Sequence, residues 1–148
     1  MTALARRCLA LLFLAVGPAV ASGVAIVGRW TTYDEATSQP RAVIEIVGEG
    51  SRLRGRIAEL FTALDGDADP VCEKCSGKER GHRIRGLSIL DVSADAIDGR
   101  FRGTALDPGE GRIYEVVVTP SSDGKQLRLR GFVGLEIFGR TETWTRTR

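Results

Sequence analysis

The chain is 148 residues long, with 21 Lys+Arg against 19 Asp+Glu, 18 Gly, three Cys and a single His. That length suits one domain rather than two, and the near balance of charge excludes a strongly basic nucleic-acid binder or an acidic disordered tail. With 43% apolar residues and no low-complexity run the chain should fold, while one His leaves no set of imidazoles for a His-rich metal centre.

In chain order, residues 1–21 read as a cleaved signal peptide. Arg6 and Arg7 form a charged start, residues 8–16 (CLALLFLAV) an apolar core, and Ala19-Val20-Ala21 the small-x-small pattern of a cleavage site. The apolar run is shorter than the roughly 20 residues a spanning helix needs, and Gly17-Pro18 breaks it. The expectation is a periplasmic or secreted protein with no transmembrane segment after cleavage, its residues 22–148 forming a single β-barrel domain. Loss of Arg6 and Arg7 from the 21 bases leaves 19 against 19 acids, so the remaining chain is formally neutral. Cys8 leaves as well, and Cys72 and Cys75 remain as a pair.

Beyond residue 21, apolar and polar residues alternate with period two, and no stretch carries a helical apolar stripe. Eight strands are predicted, over 25–33, 41–47, 52–61, 83–90, 96–105, 111–118, 126–134 and 136–147. Gly48-Glu49-Gly50, Asp107-Pro108-Gly109 and Ser121-Ser122-Asp123-Gly124 supply turn chemistry between them. Even spacing of short strands indicates an all-β sandwich or barrel. One long irregular stretch, at about 62–82, interrupts the series.

The pattern Arg-apolar-Arg-Gly occurs four times, ending at Gly55, Gly86, Gly103 and Gly131. On a strand the two Arg share one face and the apolar residue and Gly the other. Inner Gly lets strands coil or leaves space, as a barrel requires. The eight Arg either form a surface for an anionic partner or a solvated face paired with neighbouring acids; overall neutrality favours the second.

Gly28-Arg29-Trp30 near the start and Trp144-Thr145-Arg146 near the end resemble the closing signature of lipocalins and wider calycin barrels. The resemblance implies that Gly28, Trp30 and Arg146 close the barrel, Trp30 plugging one end with Arg146 packed across its ring as a cation–π contact. The likeness extends through Gly55-Arg56-Ile57, residues 86–90 (GLSIL), Asp107-Pro108, Tyr114, Leu129-Arg130-Gly131 and the terminal residues 139–146 (GRTETWTR). Together these resemble the domain of unknown function 2147 family of small exported bacterial proteins. That resemblance implies a lipocalin-like, eight-stranded antiparallel up-and-down barrel and no established reaction.

Three readings of Cys72-Glu73-Lys74-Cys75 stand side by side. An oxidising compartment favours a structural disulfide that pins the loop locally. A redox-active pair usually sits at a helix N-terminus, which this segment lacks. A zinc site would need Cys72, Cys75 and His82 with a borrowed carboxylate, short of a complete motif. Residues 65–69 (DGDAD) begin like a calcium loop, but Pro70 and Ser76 occupy its sixth and twelfth positions, so a solvated acidic turn is the simpler reading.

No nucleophile elbow, phosphate-binding loop or His-Glu-x-x-His occurs. No enzyme activity, metal or cofactor is therefore expected; an inward pair made by Glu59 and Glu115 is the one acid–base candidate. An eight-stranded barrel can just be filled by side chains or can hold one small ligand. The expected function is binding of a small apolar or amphipathic ligand against Leu53, Ile57, Ile84, Phe101, Tyr114 and Leu129. The alternative is an envelope structural or interaction protein with a filled barrel, meeting a protein partner through its outer surface or Cys loop.

Overall fold

The computed structural model describes residues 25–61 and 69–148; the signal peptide expected at 1–21 and most of the acidic run at 65–69 lie outside the described residues. The alternating segments form eight strands: β1 Gly28–Tyr33, β2 Pro40–Glu49, β3 Arg52–Leu60, β4 Ser88–Ser93, β5 Phe101–Asp107, β6 Arg112–Pro120, β7 Gln126–Phe132 and β8 Arg140–Arg146. Each pairs antiparallel with its neighbour in sequence, and β8 returns to β1 through Trp30↔Arg146 and Thr31↔Thr145, closing an up-and-down barrel. Among the described residues no helix is long and apolar enough to cross a membrane.

Alternation fills the barrel. Ala42, Ile44 and Ile46 of β2, Leu53 and Ile57 of β3, Leu90 and Val92 of β4, Val116 and Val118 of β6, and Leu127 and Leu129 of β7 are all buried in one core. Arginines occupy the opposite face beside acids: Arg52 with Asp91, Arg54 with Glu49 and Arg56 with Glu45 on adjacent strands, and Arg29 of β1 with Glu59 of β3 across β2. These pairs make part of the outer surface an ion-paired, solvated face, each exposed pair contributing ~0–1 kcal/mol.

Register sets the two ends of the barrel apart. The turns after β2, β4 and β6 gather at one end, with residues 25–27. The other end carries the β1–β2 connection, the long β3–β4 segment, the β5–β6 turn and the β7–β8 loop. Register shifts leave Ala58 of β3 as an extra residue opposite Val43 and Ile44, and Ile89 of β4 as one opposite Gly55 and Arg56, and such bulges bend β3 and β4.

Three boundaries differ from the alternation pattern. The strand predicted at 83–90 begins only at Ser88, because residues 84–87 form a turn with Gly86 at φ +89. That turn docks on β3 through Gly86 N–H to the Ile57 carbonyl (2.7 Å) and Ile57 N–H to the Leu87 carbonyl (3.0 Å). The second Arg-apolar-Arg-Gly copy is therefore not a strand, and Gly86 is no inner barrel position. The run predicted at 96–105 contains a tight hairpin turn: Asp98 and Gly99 have φ +52 and +72, and Ile97 and Arg100 exchange backbone hydrogen bonds. Both central residues at positive φ are what a type I′ turn requires. Finally, residues 136–138 form a 3-10 turn ahead of β8 rather than its first residues.

The remaining three inner glycines serve two different ends. A Cβ on Gly55 would lie 2.9 Å from Leu90 Cβ, and one on Gly103 would fall inside the Asp91 carbonyl, so both permit close strand approach. At Gly131 such a Cβ would make only an ordinary contact, 3.8 Å from Tyr114 Cβ, and the glycine borders an open space inside the barrel.

Candidate functional site

That space belongs to a chamber of about 410 Å³ at the end of the barrel carrying the long segments. Its walls come from all eight strands, with Ile44, Ile57, Val116, Leu129 and Trp144 among the lining residues, and Ile84 is added by the β3–β4 segment. The volume falls within the roughly 300–1,000 Å³ of small-molecule sites.

Four of the six residues expected to line a ligand site, Ile57, Ile84, Tyr114 and Leu129, stand on this chamber. Leu53 and Phe101 do not. Both are buried in the core at the opposite end, where Leu53 pairs with Gly48 and Phe101 with Val118. Strand parity identifies the inward face but carries no information about depth along the barrel axis.

The mouth of the chamber is polar and was not anticipated from the alternation pattern. Arg41 and Arg140, at the first turns of β2 and β8, line it with Asp107, Tyr114 and Glu142. Arg140 and Glu142 share the inward parity of the buried Trp144, which was the available signal. The acids here are engaged by neutral donors. Asp107 accepts the Gly109 and Glu110 amides (2.8 and 3.2 Å), Glu142 accepts Trp144 Nε1–H (3.2 Å), and Glu110 accepts the Tyr114 hydroxyl. The Tyr114 hydrogen bond holds the Glu110 carboxyl below the usual carboxylate range, aided by the nearby charges of Arg112, Arg140 and Lys74. The same bond raises the Tyr114 phenol above its ordinary value.

Neither Glu59 nor Glu115 forms the inward acid–base pair considered above. Glu59 lies on the outer face, paired with Arg29, and Glu115 is exposed between the cavity-lining Tyr114 and Val116. Period-two geometry sends residues 114 and 116 inward and 115 outward. Glu142 and Asp107 are the carboxylates on the chamber.

At the opposite end Trp30 is fully buried, its Nε1–H donating to the Ile26 carbonyl (2.9 Å). Arg146 lies across its ring, 4.2 Å from the centroid, and donates to the carbonyls of Ala25, Val27 and Gly124. Gly28 has φ +131, and a Cβ there would stand 2.7 Å from Arg146 Nη1. These three residues close the barrel base and are remote from the chamber.

A disulfide joins Cys72 and Cys75. Both are buried in the core cluster, which leaves the sulfurs out of reach of a redox partner. Bonded to each other, they are not thiolate ligands for zinc, and His82 is exposed; among the described residues no group of His, Cys, Asp and Glu could hold a metal. The loop is knitted together by Cys72 N–H to the His82 carbonyl (2.8 Å) and Ile84 N–H to the Pro70 carbonyl (2.8 Å). It packs on the β5–β6 turn at Gly111, whose missing Cβ makes room for the Lys74 carbonyl. The disulfide loop therefore forms one side of the chamber mouth, bringing Ile84 into the wall.

Residues 28–146 match a family model described as "Uncharacterized protein conserved in bacteria (DUF2147)". Among solved structures the fold is similar to protein HP1028 of Helicobacter pylori, described as belonging to the lipocalin family, with TM-score 0.67, 18% identity and 82% of each chain covered. No curated protein matches the chain.

Proposed function

The chain belongs to the uncharacterised bacterial family DUF2147, and from that premise we propose that it is an exported binding protein holding one small apolar or amphipathic ligand in its barrel. The observation that carries this reading is the chamber of about 410 Å³, apolar in its depth and open to solvent at a polar mouth. A barrel whose interior is filled throughout, as a purely structural envelope protein would have, does not leave such a space. The lipocalin-like fold agrees with a binding role, since that architecture presents an apolar interior through one open end. Export rests on the sequence features of residues 1–21.

Native mass spectrometry of protein purified without denaturation from its own host tests the reading. The expected spectrum shows the folded chain with added ligand mass, lost on unfolding. Repeated ligand-free spectra, with no thermal stabilisation by amphiphiles, overturn it.

A further inference from the structure

Charge at the chamber mouth is asymmetric in its bonding. Asp107, Glu110 and Glu142 each accept from a neutral donor. Arg41 and Arg140 line the same mouth, and among the described residues neither guanidinium makes a hydrogen bond or ion pair. The two converge on one hairpin turn: Arg41 Nη2 lies 3.8 Å from where a Gly109 Cβ would stand, and Arg140 is near enough to Glu110 to act on its carboxyl. Two solvent-exposed guanidinium forks with no hydrogen-bond or ion-pair partner among the described residues, above an apolar chamber, form a receptor for an oxyanion, which Arg binds through paired charge-assisted hydrogen bonds.

Depth is selective in the opposite sense. Glu142 sits one inward position deeper than Arg140 on β8 and faces the same chamber. A negative headgroup is repelled from that level and held at the rim, whereas a methylene chain can pass to the walls formed by Ile44, Ile57, Leu129 and Trp144. We infer that the chamber takes an anionic amphiphile tail-first, with its carboxylate or phosphate headgroup seated between Arg41 and Arg140. This assignment rests on the proposed binding function and names the chemical class of its ligand.

Calorimetric titration of the purified protein with decanoate, decyl phosphate, decanol and decylammonium at neutral pH tests it. One or both oxyanions should bind about tenfold or more tightly than decanol, as charge-assisted hydrogen bonds to an Arg pair allow. Whichever is tighter identifies the headgroup as carboxylate or phosphate. In the double variant Arg41→Gln/Arg140→Gln the ratio of oxyanion to alcohol affinity should collapse toward one, and in the wild type it should fall as salt is added. Decanol or decylammonium binding as tightly as the oxyanions, or a ratio unchanged in the double variant, overturns the headgroup assignment and leaves chamber binding standing. Failure of all four probes to bind overturns both.

Discussion

Arg146, on the last strand, lies 4.2 Å from the ring centroid of Trp30, on the first. Only two residue pairs join these strands, Trp30↔Arg146 and Thr31↔Thr145, so the side-chain contact reinforces the short seam that closes the barrel. Arg146 also ties three carbonyls from two other segments to that seam. Replacing Arg146 by Gln removes the cation–π contact and these hydrogen bonds together and should destabilise the fold by about 2 kcal/mol. Trp30→Ala should cost more, about 3–5 kcal/mol, because it also empties a buried site. Urea unfolding measures both. A loss below about 0.5 kcal/mol for Arg146→Gln, the size of an ordinary surface substitution, would show that the seam holds without it.

The Tyr114–Glu110 hydrogen bond gives the mouth two pH dependences of opposite sign. Glu110, held below its ordinary value of 4.5 chiefly by the Tyr114 hydroxyl, contributes stability that is present above that value. The contribution is lost as pH falls through the depressed folded value. Tyr114, raised above 10.0 chiefly by the same bond, contributes stability present below 10.0 and lost as pH rises through its folded value. Tyr114→Phe should return the Glu110 carboxyl, followed by carbon NMR, toward its ordinary value. An unchanged Glu110 titration would mean that the bond does not form in solution.

The Cys72–Cys75 bridge closes a loop of only four residues. The chain-entropy relation gives such a loop about 2 kcal/mol, less than a long loop would gain. The double variant Cys72→Ala/Cys75→Ala should therefore leave the barrel folded and raise amide exchange locally, over residues 70–84 and the adjoining turn near Gly111. Exchange rising equally in β1 and β8 would contradict this confinement, since those strands lie outside the knitted loop.

Strand count and inward face were legible because a barrel wall imposes period two, so Ile44, Leu129 and Trp144 declare their orientation from the chain alone. Other features lay outside what alternation encodes. Ile84-Arg85-Gly86-Leu87 alternates like a strand, yet its backbone hydrogen bonds go to Pro70 and Ile57 in a turn. Asp98-Gly99 carries a tight-turn signal, but it lies between the apolar residues Ile97 and Phe101, which continue the alternation of a strand. The disulfide is one of three readings that the Cys pair allows, whereas its place beside the chamber depends on Gly111 meeting Lys74, a contact 37 residues apart in sequence. Arg140 shares the inward parity of Trp144, but Arg41 precedes the inward Ala42 by one residue, and only the folded structure sets the two together at the mouth.

If the chain is exported as proposed, protein isolated from its host should begin at Ser22. Cleavage there removes Arg6, Arg7 and Cys8, leaving a neutral chain whose only cysteines are the bridged pair. Intact mass under non-reducing conditions reads both features at once. A mass retaining residues 1–21, or a fraction remaining in the cytoplasm, would contradict the exported assignment.

Two glycines with the same sequence context should respond in opposite ways to substitution. Gly103 and Gly131 each end an Arg-apolar-Arg-Gly run on an inward position, in β5 and β7. A Cβ on Gly103 would overlap the Asp91 carbonyl, so Gly103→Ala must part β4 from β5, which are joined by only three residue pairs. The expected cost is about 3 kcal/mol or more, at the upper end for overpacking. Gly131 faces the chamber with Tyr114 Cβ 3.8 Å away from the added atom, so Gly131→Leu projects into open volume and should leave the unfolding midpoint near wild type. The same change takes up space that a ligand tail needs, and decanoate affinity should fall about tenfold or more, the equivalent of roughly two methylenes denied burial. Thermal melts and calorimetry on the pair separate the two roles. Unchanged decanoate affinity in a folded Gly131→Leu protein would place the ligand outside the chamber.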